Sequence, residues 1–126
     1  MIVLSWGALH LKIFAATVRA NWTYDYASEP ACSATRSRDC IDHFEVLDIT
    51  NKDFVLITIV SNPNQATGKV DNISTTFKYG PPFGSRTISV VAAGKDPNGN
   101  RVTSNPYAAR ATISIRPGAP ISIIVK

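Results

Sequence analysis

The residues able to do chemistry are few and dispersed. The two histidines are His10 and His43. Acid–base catalysis through His43 would need an orienting carboxylate and a nucleophile, and Asp42 and Glu45 are its acidic neighbours. Successive strand residues face opposite sides of a sheet. If Phe44 points inward, His43 therefore stands on the solvent side. No G-x-S-x-G elbow, phosphate-cradling glycine loop or H-E-x-x-H helix occurs, so no catalytic residue is assigned and a non-enzyme is expected. Asp96, Asn98 and Asn100 alternate like calcium ligands. The twelfth-position Glu is missing, however, and Gly99 falls at the wrong place, so Pro97-Asn98-Gly99 reads as a turn and neither metal nor cofactor is expected.

Cys32 and Cys40 are the whole thiol inventory. Their Cys-x7-Cys spacing has no second Cys or His pair to complete a zinc site. The readings left are a disulfide, expected if the domain is exported, or two free thiols in a reducing compartment. Asn21-Trp22-Thr23 and Asn72-Ile73-Ser74 match the glycosylation triplet, a pattern common by chance in a chain rich in Ser, Thr and Asn.

The net charge is +4, but the thirteen Lys and Arg residues are scattered and accompany no nucleic-acid motif, so no nucleic-acid partner is expected. The 126 residues suffice for one domain with one core. Charged residues make up only 17 %, and the Thr, Ser, Asn and Pro that replace them favour strands and turns over helices.

The elements that must position these residues are strands. Thr17 to Trp22 alternates with period two, as do Arg86 to Ala93 and Ala111 to Ile115. Phe54 to Val60 is a continuous apolar run ending at the turn cluster Ser61-Asn62-Pro63-Asn64, and Val70 to Tyr79 ends at Gly80-Pro81-Pro82. Residues 1–17 are apolar but interrupted by His10 and Lys12. They read either as a first strand or as the remnant of a signal peptide, and not as a transmembrane helix. Pro117-Gly118-Ala119-Pro120 breaks the last strand, so 117–126 reads as a tail or the start of a linker. Roughly seven strands at hairpin spacing indicate an all-β sandwich.

Within that pattern the chain resembles a fibronectin type III domain over about Val18 to Ile115. Trp22, preceded by Val18 and Ala20, is similar to the family's B-strand tryptophan. Ile41-Asp42-His43-Phe44-Glu45-Val46 resembles its C strand and Ile88-Ser89-Val90-Val91-Ala92 its F strand. Asp96-Pro97-Asn98-Gly99-Asn100 sits where the F–G loop falls, and Ser104-Asn105-Pro106 with Ala111 to Ile115 resembles the G strand. The family's tyrosine at the start of strand F falls on Arg86.

The resemblance implies a seven-stranded antiparallel immunoglobulin-like sandwich over residues 18–116. It also implies a non-enzymatic spacer or adhesion-type module of an exported or cell-surface protein, partnered by another protein or a neighbouring domain. In such a sandwich the B–C and F–G loops share one end. Arg36, Arg38, Lys95 and Arg101 would then form a basic loop end, against Asp39 and Asp96. The competing expectation is a glycan-binding accessory domain of a glycan-active enzyme. That would require exposed coplanar rings among Tyr24, Tyr26, Tyr79, Phe83 and Tyr107.

Overall fold

A computed structural model describes residues 15–80, 82–118 and 120–126. The described chain is all-β, with strands β1 (Ala16–Asp25), β2 (Cys40–Asp48), β3 (Val55–Ser61), β4 (Lys69–Tyr79), β5 (Gly84–Lys95), β6 (Arg101–Thr103), β7 (Arg110–Ile115) and β8 (Pro120–Ile124). They form two sheets. One has the order β4-β1-β8. The other runs β3-β2-β5, with β6 and β7 paired in succession along the far edge of β5.

The period-two pattern dictates which side of each strand is buried. On β1, Ala16, Val18, Ala20 and Trp22 are buried and face Phe44 and Val46 of β2 and Ile88 and Val90 of β5 within one core cluster. Trp22 meets Phe44 edge-on, with ring centroids 5.6 Å apart and planes at 66°. This contact joins the two sheets and adds the favourable edge geometry of an aromatic pair to the area buried.

The strand inventory corrects the expected seven antiparallel strands. Among the described residues there are eight, and β1 pairs with β8 in parallel. Residues 117–126 do not leave the sandwich after Arg116. Gly118 adopts φ 68, a conformation that favours glycine, in the turn that follows β7. The chain then resumes as β8 in the opposite sheet, where Ile123 and Val125 are buried and the Val125 amide donates to the Asn21 carbonyl at 2.9 Å. The break at Pro117-Gly118 is thus a crossing between sheets. The first-strand or signal-remnant reading of 1–17 falls mostly on residues 1–14, outside the described residues, while Ala16 and Thr17 already belong to β1.

Of three register shifts between the described strands, two bear on the ends that lead to the loops. The β2–β5 register slips between Ile41 and His43. There Gly94 approaches so closely that a Cβ would lie 2.1 Å from the Cys40 carbonyl oxygen. Asn62 closes the same bulge from the end of β3. Its side-chain amide donates to the carbonyls of Ile41 and Asp42 at 2.8 and 3.1 Å, and its Oδ1 accepts from the buried Tyr26 hydroxyl at 2.8 Å. Burial pushes the Tyr26 hydroxyl pKa up to about 12. The second bulge lies in β4, where the register with β1 slips between Trp22 and Tyr24 and Asn72 takes φ 58. Asparagine tolerates that left-handed conformation better than most side chains.

Candidate functional site

The long β1–β2 connection is fastened at its base. Cys32 and Cys40 form a disulfide with Cα atoms 4.8 Å apart. The Cys32 amide donates to the Ile41 carbonyl and the Ile41 amide to the Pro30 carbonyl, both at 2.9 Å. The connection is also tied to the β5–β6 turn, because the Asp39 amide donates to the Asp96 carbonyl at 3.1 Å. In that turn the Asp96 Oδ1 accepts from the amides of Asn98 and Asn100 at 2.9 and 2.8 Å. The spacing that suggested cation ligands therefore serves an Asx-type turn, with Gly99 at φ 85. Among the described residues no group of three or more His, Cys, Asp or Glu side chains is placed to hold a metal.

Three of the four basic residues expected at the loop end are found there. Arg36 and Lys95 line a shallow cleft of about 370 Å³ whose acidic members are Glu29, Asp39 and Asp96. Arg38 lies beside Gly99, where a Cβ would sit 3.8 Å from its Nε. Arg36 donates from Nε to the Asp39 carbonyl at 3.1 Å and approaches the Asp39 carboxylate at 3.5 Å. That pair is solvent-exposed on both sides, so it orients the guanidinium more than it stabilises the fold. Arg101 stands opposite Lys95 in the β5–β6 register, but its guanidinium points away from the cleft. One residue along the alternation it turns onto the outer sheet face and pairs with Glu45 Oε2 at 2.5 Å.

The same Glu45 oxygen meets His43 Nε2 at 2.8 Å. Burial opposes the Glu45 charge, but hydrogen bonds from His43 and Arg101 outweigh it and hold the carboxyl below its ordinary pKa. His43 faces outward as expected. It shares that face with Glu45 two positions on, because alternate strand residues point the same way. No serine, threonine or cysteine side chain hydrogen-bonds the imidazole among the described residues, so the group is an ion-pair cluster and not a nucleophile–base pair.

A second polar cluster, which the sequence reading did not include, lies at the far end of β2. Asp48 is buried, and its Oδ2 accepts from the Tyr79 hydroxyl at 2.7 Å and lies 3.4 Å from Arg86 Nη1. Its Oδ1 accepts from the Thr50 amide and hydroxyl at 2.9 and 2.5 Å. The parity Phe44, Val46, Asp48 was the available clue, since it assigns this carboxylate to the inner face. Arg86 stands where the resemblance placed a tyrosine, and its guanidinium lies 5.7 Å from the ring centre of Tyr79 on β4.

The aromatic side chains do not form a flat platform. Tyr26 is buried, and Tyr24 meets it at 66°. The exposed Tyr107 meets Phe54 at 77°. Of the two glycosylation triplets, Asn21 lies on the central strand β1 between Ser74 and Ile124, and Asn72 is exposed on the β4 bulge.

No protein-family model, curated protein or solved structure matches this chain. Its function therefore rests on its own geometry.

Proposed function

We propose that the chain is a non-enzymatic β-sandwich module of an exported or cell-surface protein, which recognises an acidic face of a partner protein or neighbouring domain through its disulfide-fastened loop end. The observation that carries this reading is the bond between the Asp39 amide and the Asp96 carbonyl. It ties together the two loops that carry Arg36, Arg38 and Lys95, which supports reading them, with Glu29, Asp39 and Asp96 among them, as one surface. Loops held by a rigid scaffold are where recognition concentrates, and preorganised cations lose little entropy on binding.

The arrangement of β4-β1 against β3-β2-β5-β7 supports an immunoglobulin-like sandwich of the fibronectin type III kind, with β8 as an addition along β1. The Cys32–Cys40 bond supports an oxidising compartment. Among the described residues no helix is long and apolar enough to cross a membrane. The titratable clusters at Glu45 and Asp48 are internally satisfied, which supports a binding role over catalysis.

Retention on immobilised polyglutamate tests this reading. The triple variant Arg36→Glu, Arg38→Glu, Lys95→Glu is expected to elute at much lower salt than Lys52→Glu, Lys78→Glu, Arg116→Glu, which has the same net charge. Equal elution of the two would show that only total charge matters.

A further inference from the structure

On the side of the sandwich away from β3, the two sheets do not close on each other. A cleft of about 480 Å³ opens between β8 and the connection from β6 to β7. Trp22, Phe44, Val90 and Ala92, the inner-face residues of both sheets, form its floor, and Ile124 and Val125 form one wall. This volume lies within the range of small-molecule sites, roughly 300–1,000 Å³, and such sites are mostly apolar with a few polar groups.

The charge at the mouth narrows the ligand class. Among the described residues the charged ones lining the cleft are Lys69 and Lys126, both exposed, and no carboxylate side chain lines it. Neither lysine forms an ion pair among the described residues. Asp25 stands opposite Lys69 in the β1–β4 register without bridging to it. Apolar floor and cationic rim together match an amphiphile with an alkyl body and an anionic head.

We propose that this cleft binds a medium-chain alkyl carboxylate, its chain against Trp22, Phe44 and Val90 and its carboxylate at the mouth beside Lys69 and Lys126. The site is separate from the loop end and does not depend on the function proposed there.

Titration of the full chain with sodium decanoate below its micellar concentration, followed by amide and indole chemical shifts, tests the proposal. Saturable shifts are expected at Trp22, Val90, Ala92 and Ile124. Decanol, which lacks the charge, should bind at least tenfold more weakly. Lys69→Glu with Lys126→Glu should weaken decanoate at least tenfold, while the equally charged Lys52→Glu with Arg116→Glu should leave its affinity unchanged. Ala108→Trp, an exposed substitution at the mouth, should abolish binding with the unfolding midpoint retained. The proposal is overturned if shifts are unsaturable or spread over the surface, or if decanol binds as well as decanoate. It is also overturned if binding survives Ala108→Trp, or if it is seen only in a chain lacking residues 1–14, which would make that segment and not a ligand the cover of the cleft.

Discussion

The hydroxyl of Tyr79, at the end of β4, donates to the carboxylate of Asp48, at the end of β2, over 2.7 Å. The two residues belong to different sheets, so this bond latches the sandwich at the end opposite the disulfide-fastened loops, and Arg86, in the same sheet as Asp48, supports the carboxylate from beside. Burial raises the Tyr79 hydroxyl pKa well above its ordinary value, and the bond to Asp48 adds to the shift. Tyr79→Phe deletes the donor while Asp48 keeps Thr50 and Arg86. Loss of one charge-assisted bond to a buried acceptor is expected to cost about 1–3 kcal/mol. Urea unfolding of the two proteins measures it, and equal midpoints would remove the latch from the account.

The latch also carries a pH dependence. Burial pushes the Asp48 pKa up, but the hydrogen bonds from Thr50 and Tyr79 and the charge of Arg86 outweigh it, and the folded value lies below the ordinary one. As pH falls, the unfolded chain therefore takes up the proton first, near the ordinary value of about 3.9. The stabilisation is complete above that value and is lost as pH drops through the lower folded pKa. Stability measured from pH 6 down to pH 2 should fall along this limb, and Asp48→Asn should flatten it. An unchanged acid limb in that variant would contradict the assignment.

Trp22 is the largest side chain joining the sheets. Trp22→Ala removes the edge contact with Phe44 and leaves a core cavity, with an expected cost of about 3–5 kcal/mol. That is a large part of the stability of a small domain. A loss below about 1 kcal/mol in denaturant unfolding would show that the core repacks without it.

Gly94 is required for space and not for backbone freedom. An alanine Cβ there would meet the Cys40 carbonyl oxygen, a backbone atom held between the disulfide and the bulge. Gly94→Ala should destabilise by about 1–3 kcal/mol or more, whereas Gly80→Ala, whose Cβ would meet nothing within 4 Å, should not shift the midpoint by a similar amount.

Reduction of Cys32–Cys40 frees a short loop, and the chain-entropy model sets the expected loss at about 2–3 kcal/mol. Comparing unfolding with and without reductant gives the value. No difference would mean that the backbone bonds of Pro30, Cys32 and Ile41 suffice to hold the connection.

Much of this architecture could be read from side-chain parity. The alternation through Trp22, through Phe44 and Val46, and through Ile88, Val90 and Ala92 assigned inner faces that the packed sheets display. The turn at Asp96-Pro97-Asn98-Gly99 was legible too, although the short β6 that follows it, ahead of the expected strand at Ala111 to Ile115, was not. What could not be read were relations with no local signature. The parallel return of β8 depends on a sheet change at Gly118, and a proline–glycine pair ends a strand in the same way whether or not the chain later rejoins the fold. The latch at Asp48 pairs residues 31 positions apart in sequence. Arg101 left the expected basic cluster because alternation within the three-residue β6 sends it and Val102 to opposite faces, and Glu45 two strands away captures it.

Recognition at the loop end is tested most directly by the amide chemical-shift map of the full chain titrated with oligoglutamate at low salt. Shifts are expected to concentrate in residues 36–39 and 95–100 and to vanish as the ionic strength is raised, since exposed charges are screened within about 10 Å at 0.1 M. Shifts centred instead on the exposed apolar residues Phe54, Leu56, Ile59 and Tyr107, or spread evenly over all the basic residues, would count against loop-end recognition.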